Sequence, residues 1–368
     1  MFIQRKHTVF MFVFLLFLTF VMSFFTLTTN ASHHFFEKQK LYSNQLTIGK
    51  VIKVNDQEIW IENFDSMKFS NLIKLTMDGG KNWKTVFSDP DMLIFGFNVI
   101  GNRVWVYGVD RGKKDSLLFK SSDHGITWKR LDIKSRGILE RGDFISADTG
   151  WIFTQYGDLL PIHNAEPAPI IPATRVRKKV EIMGVQSDKK VWFATEVGSF
   201  FQSTDSGQTW LERTDILTKV KKFKRGGIIQ PVSIKFTDNK YGFIAAKILV
   251  KAKQEDYGYY IGIILFSDDG GINWNIRKVP DTKGLGVLSI VSNKELWVVP
   301  TTSASSKELY HSIDGGISWS KVKLPDEFDH VTNLVFHDSK NGIMVNTNGV
   351  SDEMFLTRDS GKKWEKIY

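Results

Sequence analysis

Thr76-Met77-Asp78-Gly79-Gly80-Lys81-Asn82-Trp83 decides the fold, because it returns five more times along the chain. The copies are Ser121-Ser122-Asp123-His124-Gly125-Ile126-Thr127-Trp128 and Ser203-Thr204-Asp205-Ser206-Gly207-Gln208-Thr209-Trp210, then Ser267-Asp268-Asp269-Gly270-Gly271-Ile272-Asn273-Trp274. Ser312-Ile313-Asp314-Gly315-Gly316-Ile317-Ser318-Trp319 and Thr357-Arg358-Asp359-Ser360-Gly361-Lys362-Lys363-Trp364 complete the set. All six fit Ser/Thr-x-Asp-x-Gly-x-x-Trp without a mismatch. The aspartate can cap its own backbone amides, and the glycine permits a positive φ. Alternating apolar segments such as Ile73-Lys74-Leu75 flank each copy, so each reads as a β-hairpin whose tryptophan starts the return strand.

Working outward, the aspartates lie 45, 82, 64, 45 and 45 residues apart. A period near 45 suits a four-stranded propeller blade. An apolar strand precedes each hairpin: Ile59-Trp60-Ile61, Val104-Trp105-Val106, Val191-Trp192-Phe193 and Leu296-Trp297-Val298. Gly150-Trp151-Ile152, Tyr241-Gly242-Phe243 and Asn341-Gly342-Ile343 bring the strand motif to seven copies. The two motifs account for all 11 tryptophans. Seven strand motifs and six hairpins predict an all-β fold, a seven-bladed β-propeller divided at about 44–88, 92–133, 138–178, 180–216, 228–280, 285–325 and 328–368. The third unit is expected to be degenerate. Its hairpin is expected to be replaced by the proline-rich stretch Pro161–Pro172, which cannot donate ladder hydrogen bonds.

The hairpin motif resembles the Asp-box, or BNR repeat. A second pattern, Phe-x-Asp-x-x-x-Gly, stands at Phe236–Gly242 and Phe336–Gly342. Together they resemble the photosystem II stability and assembly factor type of Asp-box propeller and its non-photosynthetic bacterial relatives, over roughly residues 44–368. The resemblance implies a propeller and leaves the activity open. Asp-boxes also occur in sialidases, sortilin-type receptors and xyloglucanases, where the box is structural. It therefore implies structural roles for Asp78, Gly80 and Trp83; Asp123, Gly125 and Trp128; Asp205, Gly207 and Trp210; Asp269, Gly271 and Trp274; Asp314, Gly316 and Trp319; and Asp359, Gly361 and Trp364.

The chain has 368 residues, 42% hydrophobic and 24% charged, which excludes a disordered chain, a collagen and a polytopic membrane protein. It has no cysteine, which excludes disulfides, thiolate metal sites and a lipoprotein anchor. Arg5 and Lys6 precede an uncharged run from Val9 to Leu27, about 28 Å long as a helix. Residues 1–31 therefore read as a signal peptide or signal anchor and 32–43 as a linker. The propeller is expected outside the cytoplasm, secreted or membrane-anchored, in a bacterium.

Metal and cofactor signals are absent: no His-x-His or His-x-x-x-His spacing occurs, and no cofactor is expected. A sialidase's Arg-Ile-Pro signature is missing, since Arg103 precedes Val104-Trp105. No catalytic residue is assigned, although a glycoside hydrolase of sialidase type is the alternative to a non-enzymatic scaffold. Net charge is +9, with Lys plus Arg at 49 against 40 acids. Arg111, Lys113 and Lys114, together with Lys251 and Lys253, fall in connections on the face opposite the Asp-boxes. Lys219, Lys221, Lys222, Lys224 and Arg225 form the densest cationic stretch, expected as a projecting loop on that face. Such a face suits an anionic partner: an acidic protein, a glycan or an anionic cell-surface polymer. No nucleic-acid-reading motif accompanies the charge, and a monomer is expected.

Overall fold

In the computed structural model, described for residues 46–65, 70–135, 137–172, 179–250, 259–280, 284–300, 307–328, 330–347 and 351–368, seven four-stranded antiparallel sheets form a β-propeller. Asn44–Tyr368 is one compact unit. The signal or anchor assigned to residues 1–31 and the linker 32–43 lie outside the described residues. Among the described residues no helix is long and apolar enough to cross a membrane.

Each blade is a meander of consecutive strands, as in blade 1 with Leu46–Lys53, Ile59–Asp65, Ser70–Thr76 and Lys84–Ser88. The first strands pack against one another around the axis: Leu46–Lys53, Met92–Ile100, Leu139–Phe144, Val180–Val185, Ile228–Phe236, Leu285–Ile290 and His330–Phe336. Every one carries a register shift against the second strand, as between Ile94 and Gly96 or Pro231 and Ser233. A bulge increases local twist, which a radial array of sheets needs. The second strands are the most buried. Trp60, Trp105, Trp151, Trp192 and Trp297 are all fully buried between blades, as the sequence motif predicts.

The third blade departs from expectation. It is complete, and its hairpin is not lost to proline. Leu159–His163 and Glu166–Pro167 pair as third and outer strands. Asn164 and Ala165 join them with φ of 51° and 59°, the two positive values of a type I′ turn. Pro161 sits opposite Trp151, and its carbonyl accepts the Ala168 amide at 2.8 Å. The backbone role of the Asp-box survives there. In the six box blades a turn amide donates to the carbonyl of the loop joining the first two strands, as Gly79 does to Gln57 and Gly270 to Lys240. In blade 3 Ala165 donates likewise to Asp148, at 3.0 Å.

Blades 1 and 7 share no strand, so closure depends on side chains and termini. Ile48 N–H donates to Asp352 Oδ2 at 2.8 Å, and Asn333 Nδ2 to the Gly49 carbonyl at 2.8 Å. Trp83 meets Tyr368 edge to face at 5.3 Å, and the Tyr368 hydroxyl takes the Lys74 ammonium and reaches Asn63.

The cationic stretch is a second departure. Thr214–Phe223 is an α-helix, α1, with Ile216 and Val220 buried against blades 4 and 5. Leu217 joins that core, so the apolar positions 216, 217 and 220 make one helical face. The lysines therefore lie on a helix and not on a projecting loop, because this spacing gives the segment an apolar face to bury.

Candidate functional site

The Asp-boxes engage six carboxylates in turn contacts. Asp78 Oδ1 accepts the Thr76 hydroxyl at 2.7 Å and the Asn82 amide at 2.9 Å, while Oδ2 accepts Asn82 Nδ2 at 2.7 Å. The Thr76 hydroxyl in turn accepts the Gly80 amide at 3.0 Å, and Trp83 Nε1 donates to the Gly80 carbonyl at 3.0 Å. Asp123, Asp205, Asp269, Asp314 and Asp359 repeat the hydroxyl and amide contacts, and Trp128, Trp274 and Trp364 repeat the indole bond to the box glycine. The aspartates are turn clamps.

Each box also reaches backward. Trp128 Nε1 donates to the Val86 carbonyl of blade 1 at 2.7 Å, Trp210 packs on Phe153 of blade 3, and Trp274 on Trp192 of blade 4. Gly271, at φ +83°, lies so close to Trp192 that a Cβ would fall 2.5 Å from the indole. Its glycine is required both by conformation and by close approach.

These hydrogen bonds lower the carboxylate pKa values. The Asn82 amide leads for Asp78 and the Thr127 hydroxyl for Asp123, bringing each to about 2. For Asp314, partial burial pushes upward and is outweighed by the Ser318 and Ser312 contacts, again giving about 2. A depressed carboxylate contributes stability above its unfolded pKa and loses it as pH falls through the folded value. The melting temperature is therefore expected to drop between about pH 4 and about pH 2. Thermal unfolding followed by circular dichroism tests this: combining Asp78→Asn, Asp123→Asn and Asp314→Asn should flatten the dependence in that window. An unchanged slope would sink the assignment.

A belt of polar side chains along the inner strands is a feature that the sequence reading missed. Polar side chains at the inner strands bridge all seven blade junctions. Lys50 Nζ donates to the Phe97 carbonyl at 2.7 Å, Asn98 Nδ2 to Gly142 at 3.3 Å, and Lys235 Nζ to Ile290 at 2.8 Å. Asp143 Oδ2 accepts the Val185 amide at 2.8 Å, Gln186 Nε2 donates to Asn239, and Ser289 Oγ accepts the Phe336 amide. Asn333 closes the circle on Gly49. Burial lowers the Lys50 pKa against the pull of Asp143 and Glu62, and burial raises Glu62, Asp143 and Glu181. Desolvation by the surrounding protein lowers Lys235 as well, although its side chain is exposed in part. Asp143 is occupied by two amides, Val185 and Phe144, and Glu62 by Asn71 at 2.6 Å. These inner-strand side chains thus form a polar belt that ties neighbouring blades together. Its sequence signal is a polar residue in each otherwise apolar inner strand or at its end.

The basic end lies opposite the Asp-boxes. Lys113 and Lys114 are exposed in the turn after Arg103–Asp110, the second strand of blade 2. Arg111 is half-buried, with Nε donating to the Met92 carbonyl at 3.3 Å, so it belongs to the scaffold. Lys219 is likewise committed, donating to the Trp274 carbonyl at 2.6 Å. Lys221, Lys222 and Arg225 are exposed, and the Lys224 ammonium lies 5.7 Å from the Tyr259 ring centroid. Lys251 and Lys253 lie outside the described residues. Of the expected cationic set, the structure thus places Lys113, Lys114 and the C-terminal end of α1 at one end of the ring, three blades apart. Among the described residues no group of three or more His, Cys, Asp or Glu side chains gathers as a metal site would require.

A family model described as Sortilin, neurotensin receptor 3 (Sortilin-Vps10) matches residues 262–368. No curated protein matches the chain in sequence. Among solved structures, YCF48 from Cyanidioschyzon merolae superposes with a TM-score of 0.59 at 15% identity, covering 86% of this chain and 97% of that one. YCF48 bound to D1 peptide gives 0.57 at 16%, with coverage of 86% and 93%. The GH74 xyloglucanase from Xanthomonas campestris gives 0.60 at 12%, covering 87% of this chain and 53% of that one. The chain is an Asp-box-type β-propeller that shares its fold with YCF48 over nearly the whole length of that protein.

Proposed function

We propose that this propeller is a non-enzymatic binding or assembly scaffold held outside the cytoplasm, taking an anionic partner at its basic end. One observation carries the reading. Lys113, Lys114, Lys221, Lys222 and Arg225 are exposed at one end of the ring, with no carboxylate at ion-pair distance among the described residues. Clustered positive charge outside ion pairs steers an oppositely charged partner. The inner-strand carboxylates Glu62 and Asp143 are already engaged as acceptors, which supports structural roles for those two. The YCF48 structure with a bound D1 peptide offers a precedent on this fold for peptide capture.

The test is a crosslinking capture from native membranes, using the wild type and a variant with Lys221, Lys222, Lys224 and Arg225 changed to Gln. Each cation near an anionic surface contributes about 1 kcal/mol, so capture should fall by roughly tenfold or more and should weaken with salt. Equal capture by both proteins would reduce the basic end to a solubility feature. A glycoside panel should remain untouched; turnover that survives further purification would favour the glycoside hydrolase reading instead.

A further inference from the structure

We infer that the edge where the C-terminal end of α1 meets blade 5 is a lipid-contact edge that rests on an anionic membrane surface. The inference deepens the scaffold reading, on which it rests, by naming what the α1 cations face.

The edge combines exposed apolar and exposed cationic side chains. Phe223 is 42% exposed, Ile228 46% and Tyr259 46%. Lys221, Lys222 and Arg225 stand beside them, also exposed, and Lys224 lies over the Tyr259 ring. The backbone holds the group at one end of one sheet. Gly226, at φ +74°, and the Gly227 amide donating to the Lys224 carbonyl turn the chain from helix into Ile228–Phe236. Ile228 pairs with Leu249, and the adjacent Val250 pairs with Tyr259. The helix cannot withdraw these residues, because its apolar face is already used by Ile216 and Val220.

The chemistry distinguishes a bilayer from a soluble polyanion. An acidic peptide would satisfy the cations and leave the exposed parts of Phe223, Ile228 and Tyr259 in water. A bilayer takes both: headgroup phosphates meet Lys and Arg, while aromatic and aliphatic tips enter the interfacial layer. The sequence adds a second argument. Val9–Leu27 is an uncharged run suited to a membrane, and residues 28–45 span at most about 60 Å. The first strand begins at Leu46, opposite Asp65, at the same end of the ring as this edge. Leu46, the first described residue, thus stands at the end of the ring that carries the lipid-compatible residues.

The test uses residues 32–368, which retain the whole ring with its core and closure contacts, so that the apolar run cannot insert. Sedimentation is compared with phosphatidylcholine vesicles, the same vesicles containing phosphatidylglycerol, and immobilised polyglutamate. Near-ultraviolet circular dichroism verifies that each variant is folded. The wild type should sediment with the anionic vesicles and not with the neutral ones. Phe223→Ser with Tyr259→Ser should lower that partition roughly tenfold while leaving polyglutamate binding unchanged, and the four-residue Gln variant should lose both. If Phe223→Ser with Tyr259→Ser sediments like the wild type, the lipid edge is overturned and the polyanion reading stands. Absence of wild-type sedimentation, with charge-dependent capture from membranes preserved, also overturns the lipid edge alone.

Discussion

Replacing Trp192 by alanine is expected to lower the unfolding free energy by about 3–5 kcal/mol, the range for emptying a buried aromatic site. Trp192 is fully buried on the second strand of blade 4. Its ring lies 5.6 Å from Trp274 and 5.7 Å from Phe236, both of blade 5, with the Arg213 guanidinium 5.1 Å from its centroid. Its indole N–H donates to Gln186 Oε1 at 3.2 Å, and Gln186 itself bridges to Asn239 and Gly270. The substitution therefore opens a void between two blades and unpairs a buried amide. Urea denaturation measures the loss. A change below about 1 kcal/mol would mean that the blades repack freely, against the density expected of such a core.

Arg213→Ala is expected to cost about 2–4 kcal/mol, because charged hydrogen bonds to buried acceptors are the strong ones. Arg213 is buried just before α1. Its Nη1 donates to the Gly271 carbonyl at 2.6 Å and to Gln202 Oε1 at 2.9 Å, and Nη2 donates to the Ile272 carbonyl at 2.8 Å. The guanidinium thus ties blade 4 to the Asp-box turn of blade 5. Its pairing with Asp215 counts for less, since that carboxylate is 45% exposed and screened by water. Arg213→Lys should recover little, because an ammonium cannot span two carbonyls and an amide while stacking on Trp192. Hydrogen exchange at 214–223 should accelerate in both variants along with the loss of stability. Stability within about 0.5 kcal/mol of the wild type would remove Arg213 from the blade junction.

Hairpins, blade count and the burial of Trp60, Trp105, Trp151, Trp192 and Trp297 are local or periodic properties, and the sequence alone determined them. An Asp-box closes on contacts within eight residues, and a second strand buried on both faces shows as an apolar run wherever it lies. Blade 3 shows where that reasoning stops. A type I′ turn at Asn164-Ala165 keeps the Ala165–Asp148 bond without any box residue, so only the folded backbone reveals the equivalence. The lysines of α1 misled for a related reason. Charge density drew attention away from Ile216, Leu217 and Val220, whose helical spacing acquires meaning only against the core between blades 4 and 5. The axial belt and the closure at Tyr368 were settled by tertiary structure alone. Lys50 and Phe97 are 47 residues apart, and Asn63 and Tyr368 are 305 apart. No local pattern encodes which polar side chain meets which distant carbonyl. That choice follows from the angle at which seven twisted sheets meet around one axis.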